Sequence, residues 1–328
     1  MAAWEKTAMK LLVTGGAGFI GSNFIRHMMN SHPEGEIINL DVLTYAGNRN
    51  NLKGIEKNSR YTFIRGDICN RDIVDAILDK HKIDAIVHFA AESHVDRSIA
   101  NASAFVKTNV LGTHTLLECA RTHTIPKFIH ISTDEVYGST VKGSFRETDV
   151  LSPSSPYSAS KAGSDLLALS YFTTYNLPVI VTRCTNNFGP YQYPEKLIPL
   201  FVTNLLNGKK VPVYGTGKNV RDWIHVNDHC RAVEFLLEHG NYGEIYNIGG
   251  GHEKSNLEIT HKILDLLSKG ESMIEYVTDR PGHDFRYSLD CSKLLKMGWK
   301  PRYSFEEGLK DTVEWYIRNE WWWRPLEK

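Results

Sequence analysis

Short runs of β-branched and apolar residues alternate with helix-length amphipathic segments through the first half of this chain, and that alternation constrains the fold more than any other feature. Residues 10–14, 36–40, 61–65, 85–89, 128–132 and 179–182 read as strands, with helical patterns over 19–30, 71–80 and 109–121. Strands separated by helices imply right-handed βαβ units and a parallel sheet covered on both faces. The expected class is therefore α/β, doubly wound.

After residue 187 the regularity fails. Pro190, Pro194, Pro199 and Pro212 punctuate shorter helical patterns at 196–207, 226–239 and 257–267. Residues 9–187 are expected to form the main dinucleotide-binding (Rossmann) domain. Residues 188–328 are expected to form mainly a smaller, mixed substrate lobe, from which strands near 243–248 return to the main sheet. Residues 1–8 read as separable, since Met9-Lys-Leu-Leu-Val-Thr would itself be a sensible start. The aromatic tail from Trp315 to Trp323 is read as packing.

With 38 basic and 38 acidic residues no overall field recruits nucleic acid or an anionic membrane, so an anionic ligand must be held by local groups. Cys69, Cys119, Cys184, Cys230 and Cys291 form no C-x-x-C pair, which favours a reducing compartment and speaks against a zinc site or disulfide framework. No apolar run reaches the ~18 residues a bilayer span needs, and the N-terminus lacks a signal-peptide layout. Cytoplasmic location is expected. His225 and His229 lack a third ligand or an H-E-x-x-H arrangement, so no metal is expected.

Thr14-Gly-Gly-Ala-Gly-Phe-Ile-Gly21 joins the first strand to the first helix. Gly15, Gly18 and Gly21 let the backbone approach a pyrophosphate and offer it the positive end of the helix. Asp41 closes the second strand, where a carboxylate accepts bonds from both adenosine ribose hydroxyls and repels a 2′-phosphate; NAD is favoured over NADP. Asp67 and Ile68 after the third strand bracket the adenine, and Phe89, Ala90, Ala91 and Ser93 after the fourth leave room for the cofactor.

Pro153-Ser-Ser-Pro156 marks a helix start that puts Tyr157 in the first turn, with Lys161 at i+4 on the same face. A cation and an oxidised nicotinamide both favour the phenolate, which then deprotonates an alcohol as hydride leaves. Asp134 and Glu135, directly after the fifth strand and beside Thr133, add a second pair of proton carriers. Adjacent carboxyls raise the pKa of one member, which suits an acid next to a base.

From the glycine loop through Asn109, Thr133, Tyr157 and Lys161 the chain resembles the extended short-chain dehydrogenase/reductases over nearly its whole length. Within them it resembles the dTDP-glucose 4,6-dehydratases, through Ala90-Ala-Glu-Ser-His-Val-Asp-Arg97, Ser132-Thr-Asp-Glu-Val-Tyr-Gly138, Asn186-Asn-Phe-Gly-Pro-Tyr191, Pro194-Glu-Lys-Leu-Ile-Pro199, Arg221-Asp-Trp223 and Asp279-Arg-Pro-Gly-His-Asp284. The resemblance implies NAD as cofactor, with Phe19, Ile20, Asn109 and Asn186 as further contacts. It implies substrate binding by Ser93, Thr133, Asn187, Lys196, Leu197, Arg221, Asn256, Arg280 and His283. Arg221 and Arg280 suit a pyrophosphate through their guanidinium forks. His225 and Asn227 depart from the family's Tyr and Glu. The resemblance further implies a homodimer through helices near 98–121 and 156–175.

The reaction so implied starts with Tyr157, helped by Thr133 and Lys161, taking the 4-hydroxyl proton while hydride passes from C4 to NAD. Glu135 then removes the C5 proton and Asp134 protonates the departing 6-hydroxyl. Hydride returns at C6 and a proton at C5, giving the 4-keto-6-deoxy sugar nucleotide of deoxysugar (dTDP-rhamnose-type) biosynthesis. Other nucleotide-sugar 4,6-dehydratases, a UDP-hexose 4-epimerase and a non-catalytic NAD-binding sensor are the competing readings. The Asp-Glu pair disfavours the epimerase, and the intact Tyr and Lys disfavour the sensor.

Overall fold

The computed structural model describes residues 9–279 and 283–327. In chain order its strands are β1 Lys10–Thr14, β2 Glu36–Asp41, β3 Tyr61–Arg65, β4 Ala85–His88, β5 Phe128–Thr133, β6 Val179–Cys184, β7 Asn186–Phe188, β8 Val211–Tyr214, β9 Val220–His225, β10 Ile245–Ile248, β11 Glu253–Ser255 and β12 Ile274–Val277. Its α-helices are α1 Phe19–Ser31, α2 Arg71–Lys80, α3 Val95–Ala100, α4 Ala102–Phe105, α5 Thr113–Thr122, α6 Pro156–Tyr175, α7 Leu197–Leu206, α8 Val226–His239, α9 Asn256–Leu266, α10 Ser292–Lys296, α11 Phe305–Arg318 and α12 Glu320–Trp323.

The main sheet has seven strands in the order β10-β6-β5-β4-β1-β2-β3, and every pairing is parallel. All six strands read from the sequence are present, lengthened by a residue or two at β2, β5 and β6 and shortened by one at β4. The return near 243–248 is β10. Strand order reverses between β1 and β4, and a doubly wound sheet binds its ligand at that switch point.

Alternation along the strands feeds two cores. In β1, Leu11 and Val13 pack with Phe24 and Ile25 of α1 and with Val233 and Leu237 of α8. Leu12 points the other way, toward Ile38, Leu116, Leu117 and Ala168. Because both faces are covered, these strands are apolar almost throughout and not alternately polar. A third cluster joins Phe188, Phe201, Trp223, Phe305, Tyr316, Trp322 and Trp323. There the tail is packing: Trp322 Nε1 donates to Asn51 Oδ1 at 2.7 Å and Trp323 Nε1 to the Tyr316 carbonyl at 2.8 Å.

One helix differs from expectation. The pattern over 109–121 begins as a π-helical stretch, Val106–Gly112, and only then becomes α5. The wider turn brings Asn109 inward, where its side chain bonds both the N–H and the carbonyl of Glu92 and also Ser160 Oγ at 2.8 Å. Among the described residues no helix is long and apolar enough to cross a membrane.

Candidate active site

A cavity of about 520 Å³ opens along the carboxyl ends of the main strands. Its cofactor end is set by the glycine loop. Gly15 has φ +71°, and a Cβ there would lie 2.6 Å from the Ala90 Cα; a Cβ on Gly21 would lie 2.4 Å from the Gly15 carbonyl oxygen. The loop thus depends on glycine for both conformation and clearance. No side chain caps α1 and no acid lies in its first turn, so its positive end is available to an anion.

Asp41 is more occupied than the sequence suggests. Its carboxylate accepts the Ala17 N–H at 2.9 Å and the Leu43 N–H at 2.8 Å, tying the glycine loop to the segment after β2. Each oxygen keeps a second lone pair, and the residue still lines the cavity. Burial pushes its pKa up, against those two backbone bonds. Gly15→Ala should therefore weaken NAD binding by at least about tenfold, through a left-handed φ and a backbone clash. Titration of the variant by quenching of protein fluorescence checks this.

The catalytic end is built from one strand end and one helix start. β5 runs out at Thr133, and Asp134–Tyr137 forms a 3₁₀ turn whose Glu135 N–H donates to Thr133 Oγ1 at 3.3 Å. Thr133 Oγ1 also donates to Asp134 Oδ1 at 3.2 Å, while the buried Asp134 Oδ2 has no hydrogen-bond partner among the described residues. Opposite, Ser155 and Ser158 form a capping box, Pro156 occupies the first turn of α6, and Tyr157 follows it. Lys161 Nζ, almost fully buried, donates to the Ile131 carbonyl at 2.7 Å.

Electrostatics divides these groups into roles. Burial, and then the charge of Glu135, raise the Asp134 pKa well above its ordinary value, which favours the protonated acid. Burial also holds Tyr157 protonated, with Glu135 adding to the effect and the Thr133 hydroxyl opposing it. Burial lowers Lys161 to about 8, against a rise from Asp165. A phenol and an acid therefore stand ready in one wall, with a cation that is easily discharged beneath them.

The cavity brings together Gly15, Gly18, Phe19, Ile20, Gly21, Asp41, Asp67, Ile68, Phe89, Ala90, Ala91 and Ser93 with Thr133, Asp134, Glu135, Tyr157, Lys161, Asn186, Asn187 and Lys196. Asn109 stands behind the wall, bracing Glu92. Leu197 opens α7 and Asn256 opens α9 outside the cavity lining. Arg221 also lies off the lining: its guanidinium donates to the carbonyls of Val220, Asp284 and Phe285 and covers the Tyr287 ring at 4.3 Å. His283 Nδ1 lies 2.6 Å from Asp279 Oδ1, and Arg280 falls outside the described residues.

His225 stacks on Tyr303 at 4.1 Å, and His229 Nδ1 lies 2.9 Å from Asn187 Oδ1. Burial lowers both rings to about 4. Among the described residues, metal-ligand spacing occurs at His32, Glu234 and Glu238, beyond the far end of α1 from the glycine loop. Sequence reasoning named Ser93 and Lys196 but missed the contacts around them. Tyr45 Oη donates to Glu195 Oε1 at 2.7 Å, the Arg97 guanidinium covers the Tyr45 ring at 3.5 Å, and Lys196 Nζ donates to the Ser93 carbonyl at 3.0 Å. No spacing signals these contacts, because they join three segments far apart in the chain.

Comparison with known proteins agrees with this geometry. A family model described as GDP-mannose 4,6 dehydratase matches residues 12–312. The dTDP-glucose 4,6-dehydratase of Streptomyces niveus is 54% identical over 324 residues, covering 97% of this chain and 96% of its own. That of an Actinoplanes strain is 51% identical over 321 residues, with 96% and 100% covered. The crystal structure of the dTDP-glucose 4,6-dehydratase DesIV of Streptomyces venezuelae, solved with NAD bound, superposes with a TM-score of 0.95 at 54% identity, covering 97% of this chain and all of that one. Fold and site together define an extended short-chain dehydrogenase/reductase of the nucleotide-sugar dehydratase type. Within that class, the chain belongs to the dTDP-glucose 4,6-dehydratase family.

Proposed function

We propose that the protein is an NAD-dependent hydro-lyase converting dTDP-D-glucose to dTDP-4-keto-6-deoxy-D-glucose and water, in deoxysugar (dTDP-rhamnose-type) biosynthesis. The observation that carries this reading is the meeting of a Thr133–Tyr157–Lys161 triad with the Asp134–Glu135 pair in one cavity wall. The triad suffices for oxidation of an alcohol, and the two carboxyls add what elimination needs.

NAD fits the residues present. Gly15, Gly18 and Gly21 leave the clearance a pyrophosphate requires, the uncapped end of α1 faces it, and Asp41 retains lone pairs for ribose hydroxyls. Bound there, NAD supplies a reversible hydride store and a positive ring. Lys161 and the positive ring favour the phenolate of Tyr157, and in that form Tyr157 takes the 4-hydroxyl proton, with Thr133 holding its oxygen. Once C4 is a ketone the C5 hydrogen is acidic, because the electron pair left at C5 is conjugated with the carbonyl. Glu135 removes that proton and Asp134 gives its own to the leaving 6-hydroxyl. Glu135 then returns a proton to C5, and the proton held by Tyr157 balances the one lost with water. Each placed proton carrier contributes about 10² to 10⁴-fold.

We assign Ser93, Asn187 and Lys196, which line the cavity, together with Leu197, Arg221, Asn256, Arg280 and His283 to the nucleotide half of the substrate, with a lobe made mainly of 188–328 supplying most of them. Exposed Ile99, Val106 and Leu111, with Leu166 on α6, support the homodimer proposed through these helices. Cytoplasmic location accords with five free cysteines. The test is incubation with dTDP-, GDP-, CDP- and UDP-hexoses, followed by alkaline absorbance of 4-keto sugar. Product is expected from dTDP-glucose; conversion of UDP-glucose to UDP-galactose with no keto sugar from dTDP-glucose would overturn the assignment.

A further inference from the structure

Beneath the active site the sheet carries a chain of buried polar groups that the reaction above does not use. Asp165 lies one helical turn beyond Lys161 on α6 and is completely buried. Its Oδ2 accepts from Arg183 Nε of β6 at 2.9 Å, and its Oδ1 lies 3.3 Å from His130 Nε2 of β5. Arg183 Nη1 in turn donates to Tyr137 Oη at 2.8 Å, and that hydroxyl donates to Asn247 Oδ1 of β10 at 2.9 Å. Tyr137 closes the 3₁₀ turn that begins with Asp134 and Glu135. The chain of contacts therefore starts one turn from the triad lysine and ends two residues from the elimination base.

Stability alone does not explain this arrangement. A buried ion pair is often no more stabilising than apolar side chains of the same volume, because desolvation offsets the attraction. Here Lys161, Asp165 and Arg183 are all buried together. We propose that Asp165 is a positioning residue for both halves of the reaction: its carboxylate keeps the Lys161 ammonium charged, and through Arg183 and Tyr137 it anchors the turn that aims Asp134 and Glu135. The inference rests on the triad reading given above. It differs from that reading in assigning a role to a group that touches neither substrate nor cofactor.

The electrostatic surroundings of Lys161 support the first half. Its own helix presents Tyr157, Ser164 and Asp165; β5 presents His130, β6 presents Arg183 and Cys184, and β4 presents His88 behind His130. Burial lowers both histidines, His130 to about 4, so neither offers lasting positive or negative charge at neutral pH. Burial raises Cys184 to about 12, which leaves it a thiol. Burial works against Asp165 ionising, yet His130 close to its Oδ1 and the bond from Arg183 to its Oδ2 hold its pKa below the usual value. Asp165 is thus the lasting negative charge acting on Lys161 from this layer. Without it the ammonium loses its proton at lower pH.

The experiment compares wild type with Asp165→Asn, Asp165→Glu, Asp165→Asn/Arg183→Gln and Tyr137→Phe, from about pH 6 to about pH 10. Single-turnover appearance of reduced nicotinamide reports C4 oxidation, and release of 4-keto-6-deoxy sugar reports the whole reaction. Asp165→Asn should move the alkaline limb of C4 oxidation about one unit or more toward acid, while Asp165→Glu keeps the wild-type limb. The double variant removes the stranded Arg183 charge, so it keeps the test open should Asp165→Asn fail to fold, and it should show the same displaced limb. Tyr137→Phe should slow product release about tenfold while leaving C4 oxidation and its limb unchanged. An undisplaced limb in the Asp165 variants, or equal slowing of both steps in Tyr137→Phe, would overturn the inference. If wild type makes no keto sugar from dTDP-glucose, it is the proposed function that fails.

Discussion

Replacing Tyr157 with Phe is expected to lower turnover by about 10² to 10⁴-fold while the protein folds and still binds NAD. The ring is held independently of its hydroxyl: it sits in the first turn of α6 beneath a capping box and meets Phe105 edge-on at 6.2 Å. What the variant loses is the oxygen that takes the 4-hydroxyl proton. The loss should appear in kcat with little change in KM, because the hydroxyl acts on the reacting atoms and contributes little to ground-state binding. Reduced nicotinamide should appear slower by the same factor in a single turnover. Burial lowers Lys161 to about 8, so wild-type C4 oxidation should fall as pH rises through that value and the ammonium loses its charge. Stopped-flow absorbance across pH checks this limb.

Asp134→Asn separates the acid's chemistry from its contribution to folding, and the two effects have opposite signs. The amide matches the shape of a protonated carboxyl but has no proton to give, so elimination should slow by about 10² to 10⁴-fold while C4 oxidation survives. Stability should move the other way. Burial and Glu135 raise the folded pKa of Asp134 well above its ordinary value of 3.8. Between those two values the folded state binds a proton that the unfolded state has released, and wild-type stability falls as pH rises through that window. The amide has no such dependence. Asp134→Asn should therefore melt higher than wild type at neutral pH, with the advantage vanishing in acid below the ordinary carboxylate range. Calorimetry at the two pH values measures it; a variant that melts lower at neutral pH would mean that Asp134 is ionised in the fold.

The main sheet was legible in the sequence because each buried strand carries its own signal. Runs such as Leu11-Leu-Val and Val179-Ile-Val are apolar on both faces, and glycines or helix caps bound them. The catalytic wall was legible for a similar reason: Thr133, Asp134 and Glu135 are neighbours in the chain, and Tyr157 and Lys161 are one turn apart. What escaped depends on contacts between distant segments. The Tyr45–Glu195 bond spans 150 positions, and the link from Asp165 through Arg183 to Tyr137 joins a helix, a strand and a turn. No periodicity records such pairings. The π-helical turn at Val106–Gly112 was hidden as well, since one extra residue per turn hardly disturbs an amphipathic pattern. Asn109 was placed in the cofactor site by resemblance, whereas its side chain fastens Glu92 to α6.

The division between an oxidising triad and an eliminating pair of carboxyls is tested most directly by one turnover of the Asp134→Asn/Glu135→Gln variant on dTDP-glucose labelled with deuterium at C4, followed by mass spectrometry of the sugar. The division predicts a 4-keto hexose that has lost the label and kept its 6-hydroxyl, with no deuterium at C6. Release of the 4-keto-6-deoxy sugar carrying the label at C6, at close to the wild-type rate, would contradict it.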